Sequence, residues 1–422
     1  MKKPIEDIHN PMFYIIDSWM GTGKSTTAIS MINQDTRRKY IVIVEYKEEI
    51  DRYIEACPSI DFQTPDDKFT KSSDFIRLVK EGKSIVTTHS LIQTVNITES
   101  DLQILKNNDY IFIIDETLDV ICPLTTVSDD IISMLNERYI EKDDDNNIKW
   151  IRSNDYTGDH AVWKDIIKSN RVKIIEGNEE LKNKPALIWV MNPKILSAAD
   201  KVYVLTFNFD GSYMKPYLEI NNFPYLIGHV ENFTFVEGPE DRNRQKELAN
   251  SKLHVLDHQI NKIGDSRTAL SKNWYKRATA AERKQVSNNT RNFLINMMRS
   301  SADDAIITNF EEFNALNPVK SFISSFTACN LKATNKYAHT HNLAYLINVF
   351  MHPNIKKYFV SQNLTITALD EEKVALNQLM QWIWRSAIRN GEEVNLYLPS
   401  RRMREILNKF LTDRSHPVPP TV

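Results

Sequence analysis

The stretch from Phe13 to Thr27, FYIIDSWMGTGKSTT, limits the possible folds of this chain more than any other. Phe13, Tyr14, Ile15 and Ile16 read as a short buried strand. The polar segment Asp17 to Ser25 follows, and an amphipathic run begins at Thr26. Strand, glycine-containing loop, Lys-Ser and helix are the parts of a phosphate-binding loop. Gly21 and Gly23, with Thr22 between them, let the backbone turn its N–H groups inward as an anion cradle. The helix N-terminus adds partial positive charge beneath it. Lys24 is placed to reach β- and γ-phosphates, and the Ser25 hydroxyl to hold Mg²⁺. The candidate nucleotide cradle is therefore Gly21, Thr22, Gly23, Lys24, Ser25 and Thr26. Ser18 stands where such loops usually carry their first glycine.

A second anchor follows downstream. Tyr110 to Ile114 is an apolar strand that runs into Asp115-Glu116. This is the Walker B pattern. Asp115 is the expected metal carboxylate, and Glu116 the expected general base for an attacking water. Between the two anchors, Tyr40–Val44 reads as a strand followed by a charged helix near 48–57, Ser73–Lys80 as a helix, and Ser84–Ser90 as a strand running into a polar loop. Such alternation predicts an α/β fold, an open parallel sheet with ligands at the strands' C-terminal ends. His89 lies at that edge, where it touches nucleic acid or supports the site.

The 422-residue length sets a prior of two or three domains, and 41% hydrophobic residues suffice for ordinary cores. No apolar run approaches the ~20 residues that span a membrane. The three cysteines show no paired spacing, which argues for a reducing cytoplasm and against a zinc site. The formal charge of −2 means that any nucleic-acid surface must be local.

Residues 121–185 break the alternation and read as a mostly helical insertion with an acidic loop at Glu141–Asp145. Strands resume at Pro185–Val190 and Lys201–Leu205. A change of unit begins after Gly211. A helix is expected near 342–350, a strand at 364–368 and a long helix over 371–389. In that last segment Gln381, Arg385 and Arg389 recur every four residues, so they share a helix face. Arginines meeting the charge that spreads over a γ-phosphate are what an NTPase needs at a domain interface. A basic helix follows over 401–410, and 413–422 reads as a disordered tail.

Ser18-x-x-Gly-x-Gly-Lys-Ser, Asp115-Glu116, Leu205-Thr206-Phe207 and Gln381-x-x-x-Arg385-x-x-x-Arg389 occur in the order of motifs I, II, III and VI of superfamily 2 helicases. The chain resembles that family, in particular helicase-type proteins of phages and plasmids, with herpesvirus origin-binding helicases as more distant relatives. The resemblance implies two tandem RecA-like domains over 1–215 and 216–412, ATP and Mg²⁺ between them, and single-stranded nucleic acid, most simply DNA, crossing both. It implies that Gln381, Arg385 and Arg389 complete the ATP site and that Thr206 couples hydrolysis to strand movement. Asn335 and Tyr337 then fall near the nucleic-acid track or the hinge, and Arg401 near phosphates. Other replication proteins are implied partners, and a phage-encoded chain would work in the host cytoplasm. Trp384 stands where the family usually has glycine, and the second arginine comes one residue late. Two other functions fit the same anchors. One is a viral DNA-packaging ATPase, which normally adds a nuclease domain with clustered acids. The other is a helicase-like NTP switch that does not unwind.

Overall fold

The computed structural model describes residues 10–66, 68, 70–124, 128–168, 171–176, 185–316, 320–329 and 336–414. The first strands are β1 (Met12–Asp17), β2 (Tyr40–Val44), β3 (Phe62–Gln63), β4 (Ser84–Thr88) and β5 (Ile111–Asp115). An inserted group follows: β6 (Ile121–Pro123), β7 (Ile140–Lys142), β8 (Ile148–Trp150), β9 (Val172–Ile175) and β10 (Ala186–Val190). Then come β11 (Lys201–Thr206), β12 (Tyr225–Glu231) and β13 (Thr234–Glu237). The last five are β14 (Leu253–Val255), β15 (Ala305–Thr308), β16 (Phe326–Thr327), β17 (Asn342–Tyr345) and β18 (Val394–Tyr397).

The first sheet has eight strands in the order β13-β12-β1-β11-β5-β2-β4-β3. All its pairs are parallel except β12 with β13. Every residue of β2 is buried, as a strand covered by helices on both faces requires. The second sheet has five strands, β14-β18-β17-β15-β16, all parallel. The chain is thus a tandem α/β protein with two parallel sheets. Among the described residues no helix is long and apolar enough to cross a membrane.

Four expectations change. The second unit does not start at 216: β12 hydrogen-bonds to β1 and β13 to β12, so residues through Glu237 belong to the first sheet. The insertion is not mostly helical. β6, β10 and β9 form an antiparallel sheet, β7 and β8 a hairpin, and only two helices, Ser128–Asn136 and Ala161–Lys168, are described within 121–185. Its strands are three to five residues long, too short for their period to stand out from a helical one. The region expected as a helix near 342–350 opens with β17, because Leu343 to Ile347 are wholly buried and a continuous apolar run does not declare its period. Residues 364–367 form no strand; Thr367 instead caps the helix Ala368–Ile383 through a capping box with Asp370.

The inserted sheet has a structural use. The second-unit helix Pro353–Ser361 packs on β6, β9 and β10, and its Ile355, Tyr358 and Phe359 join the first unit's core.

At the N-terminal edge of the second sheet, His341 sits between two acids. Its Nδ1 is 2.7 Å from Asp304 Oδ1 and its Nε2 is 2.9 Å from Glu392 Oε2. The bond to Glu392, then that to Asp304, raises its pKa. A raised folded-state pKa stabilises most below the unfolded value of about 6.5, and that stabilisation is lost as pH rises through the folded value. The melting-temperature gap between wild type and His341→Gln is therefore expected to be largest in acid and to shrink above neutrality. A gap that grows with pH would refute this.

Candidate active site

The phosphate-binding loop starts where β1 ends. In the sheet Asp17 lies level with Thr206 of β11, and Leu205 with Asp115 of β5, so loop and acids share one edge. Gly21 and Gly23 have φ of 80° and 90°, a left-handed backbone that glycine adopts freely. Gly23 is the N-cap of the helix Lys24–Gln34 and gives it no side-chain cap. The helix's first N–H groups are left to an anion. Ser18, in place of a glycine, is fully buried, and its hydroxyl accepts the Val230 N–H of β12 at 2.8 Å.

Lys24 is buried. Its Nζ donates to the carbonyls of Ser18 and Trp19 at 2.9 and 3.1 Å. Burial lowers its pKa, while Glu116, Asp17, Asp115 and Glu240 pull it back up. Asp115 accepts the Tyr53 hydroxyl at 2.8 Å, and its carbonyl accepts His89 Nε2–H at 2.9 Å. Glu116 has φ of 70°, rare for a glutamate, and its N–H donates to Leu205. Burial, and next Asp115, push the Glu49 carboxyl up to about 7.

These groups line a cleft of about 600 Å³ between the two units. The first unit supplies Gly21, Gly23 to Thr26, Asp115 and Glu116, together with Glu48, Glu49 and Arg52. The second supplies Trp384, Arg385 and Arg389. The Arg385 Nε–H is buried without a hydrogen-bond partner among the described residues. Burial, and then Arg385, lower the pKa of Arg389. A cleft with loop N–H groups, one lysine and three arginines suits a polyphosphate. Among the described residues no three His, Cys, Asp or Glu side chains gather to hold a metal. A Mg²⁺ here would take Ser25 and Asp115, with phosphate and water for its remaining ligands, as that ion usually does.

Two features escaped the sequence reading. Trp19, inside the phosphate loop, is buried in the second unit's core. Its ring lies 5.1 Å from Trp384, 5.5 Å from Phe207 and 5.8 Å from Phe410. Trp384 precedes Arg385, so this contact fixes where the arginines stand. The second is a buried network. Arg242 donates to Asp17 Oδ1 at 2.8 Å and Glu240 Oε2 at 3.0 Å, and Glu240 accepts the Trp19 N–H at 2.7 Å. Asp17 also accepts the backbone N–H groups of Asn208 and Phe209. In sequence, 237–244 reads only as a polar connector.

The chain is 31% identical over 418 residues to YonV, an SPbeta prophage-derived protein of Bacillus subtilis (strain 168), covering 95% of this chain and 98% of that one. The chain belongs to the YonV family. Residues 247–411 match the family described as YonV C-terminal Rossmann-like domain, which falls on the second parallel sheet. Among solved structures, the YonV-family chain is similar to XPD_APO, at 12% identity and TM-score 0.50, over 95% of each chain. It is also similar to XPD_Helicase, at 10% identity and TM-score 0.50, over 94% of this chain and 95% of that one. The fold is the tandem RecA-like one. The likeness to XPD_APO and XPD_Helicase is one of fold.

In this YonV-family chain the remaining expected residues are scattered. The helix carrying Gln381 ends at Ile383, so Arg385 and Arg389 do not share its face. They reach the cleft from the helix end and the following 3-10 turn, Ala387–Asn390. Gln381 turns away: it is buried, donates to Asn377 and lines a separate hollow beside Thr117 and Gly211. Thr206 is fully buried. Its neighbours make the contact between units instead. Asn208 donates to the Lys373 carbonyl at 3.2 Å and Asp210 pairs with Lys373 at 3.0 Å. At Gly211 a Cβ would lie 2.4 Å from the Lys373 carbonyl oxygen, so only glycine fits. Tyr337 packs on the second core, and Arg401 is exposed and paired with Glu405 at 2.8 Å. Arg402 and Arg404 donate to backbone carbonyls of the second unit. Asn335 lies outside the described residues, as does 415–422 of the expected tail.

Proposed function

We propose that this chain is an ATP-driven motor of superfamily 2 type acting on single-stranded nucleic acid, most simply DNA. One observation carries the reading: Arg385 of the second unit, its Nε–H buried without a partner among the described residues, lines one cleft with a phosphate loop and an Asp-Glu pair of the first. Bound ATP·Mg²⁺ would supply the phosphoanhydride whose cleavage drives the motor. Lys24 and the loop N–H groups hold the phosphates, and Ser25 and Asp115 the metal. Glu116 takes a proton from the water whose oxygen attacks the γ-phosphorus as the bond to the bridging oxygen breaks. Arg385 and Arg389 meet the charge that spreads over the γ-phosphoryl oxygens. Because both units contribute, turnover depends on how they close.

A second groove, about 520 Å³, supports the nucleic-acid part. It opens at the C-terminal ends of β2 and β4, lined by Lys47, Lys71, Ser72, Thr88, Ser90 and Thr94, with Glu45 and Glu48 offsetting the two lysines. Lysines, hydroxyls and helix first turns are what a phosphodiester backbone is gripped by. His89 beside it is buried on Asp115, so it supports the acids rather than touching a strand. The prophage origin of the relative YonV supports a phage setting and leaves a replication role to experiment. Gln381, lying outside the cleft, favours the second reading, a helicase-like NTP switch that does not unwind.

The test is ATP turnover with and without single-stranded DNA, in wild type and Glu116→Gln. Wild type is expected to hydrolyse ATP faster with DNA. Glu116→Gln is expected to bind ATP as tightly and to turn over about a hundredfold more slowly. Turnover of the variant close to wild type would remove Glu116 as the base. Turnover indifferent to DNA would favour the switch.

A further inference from the structure

The hairpin joining β12 to β13 turns on two residues, Asn232 and Phe233, since Glu231 pairs with Thr234. Their φ angles are 48° and 59°. A two-residue turn with both φ positive suits Asn-Gly, and glycine is favoured at the second place. A bulky aromatic there is an outlier that something other than turn chemistry must explain. Core packing does not explain it. Phe233 is 56% exposed, the one phenylalanine or tryptophan so exposed among the described residues.

Its ring stands over the phosphate loop. A Cβ built on Gly23 would lie 3.0 Å from Phe233 Cε1 and 4.0 Å from Thr26 Cβ. The aromatic edge, the loop glycine and Thr26 therefore meet at one point. Lys24 and Glu116 line the cleft toward Arg385, which is where a γ-phosphate belongs on the reading above. The hairpin lies on the other flank: β12 neighbours β1 on the side away from β11 and β5. A nucleotide laid along the loop with its γ-phosphate toward Glu116 carries its sugar and base toward Thr26 and the hairpin.

We propose that Phe233 is the stacking platform for the nucleobase of the bound nucleoside triphosphate. The inference rests on the nucleotide reading of the cleft and adds how the base is held. Stacking reads a face that every base has, so this platform adds affinity without selecting strongly among bases. Gly23 is then constrained twice, by its left-handed φ and by the ring that passes over it.

The test is calorimetric titration of the full-length protein with ATP, CTP and inorganic tripolyphosphate, for wild type, Phe233→Gly and Phe233→Trp. Glycine relieves the positive φ, so the hairpin is kept while the ring is lost. Phe233→Gly is expected to weaken ATP and CTP alike, about tenfold, and to leave tripolyphosphate unchanged. Phe233→Trp should retain or strengthen both nucleotides. Unchanged ATP affinity in Phe233→Gly, or an equal loss for tripolyphosphate, overturns the platform while the cleft reading stands. Failure of wild type to bind any of the three overturns both.

Discussion

Replacing Lys24 with alanine is expected to cut ATP turnover about a thousandfold or more, and to weaken nucleotide binding with it. The reason lies in the charge balance of the loop. Lys24 is a buried cation whose own desolvation is opposed by four acids, Glu116, Asp17, Asp115 and Glu240. Its Nζ is held by two carbonyls of the same loop, so the side chain is already folded back over the cradle. Arg242 neutralises part of Asp17 and Glu240 from behind the loop, but it is committed to them and to the Asp17 carbonyl. It does not reach forward to replace the lost ammonium. A polyphosphate entering the cleft of Lys24→Ala would meet Glu116, Asp115, Glu48 and Glu49 with only Arg52 and the second unit's arginines in compensation. Phosphate release at saturating ATP measures the effect. Lys24→Met, which keeps the aliphatic stem packed, separates lost charge from lost packing. Turnover within about tenfold of wild type in both variants would exclude the loop as the phosphate grip.

What was legible in the sequence was local. The phosphate loop could be read because strand, glycines, Lys-Ser and helix lie within fifteen consecutive residues. Asp115-Glu116 could be read because the strand that carries it is apolar and short. Alternation of such strands with helices carries the parallel sheet with it. The joins between distant segments were not legible. Glu240 grips the Trp19 N–H across 221 positions, and Arg242 reaches Asp17 across 225. No periodicity announces a pairing at that separation. Trp19 reads as a loop aromatic, yet it belongs to the core of the other unit. The antiparallel return β12–β13 closes onto the first sheet only because β1 has an edge free for it. Four-residue spacing brought Gln381, Arg385 and Arg389 to notice for a reason that fails at Ile383, where the helix stops. Two of the three still reach the cleft, because Trp384 is pinned on Trp19.

That pinning sharpens the second large expectation, which concerns the arginines one at a time. Arg385→Ala is expected to lower kcat about a thousandfold, with little change in ATP affinity. Arg389→Ala is expected to cost less. Both line the cleft, but they differ in what surrounds them. Arg385 has a buried Nε–H with no partner among the described residues, a donor that a nucleotide oxygen would satisfy on the proposed reading. Arg389 is half-buried and sits in the field of Arg385, so on the proposed reading its share would be to hold local charge density high. An interaction made in the transition state and not in the ground state lowers kcat and kcat/KM together and leaves binding alone. Arg385→Lys is expected to restore little, because an ammonium lacks the planar fork and stands on a stem that Trp384 does not orient. Single-turnover hydrolysis with saturating ATP isolates the chemical step from product release. If neither alanine variant slows that step, the second unit contributes no cation to hydrolysis. The Trp19–Trp384 contact is then a structural seam, and the two sheets act as a scaffold around a first-unit NTPase.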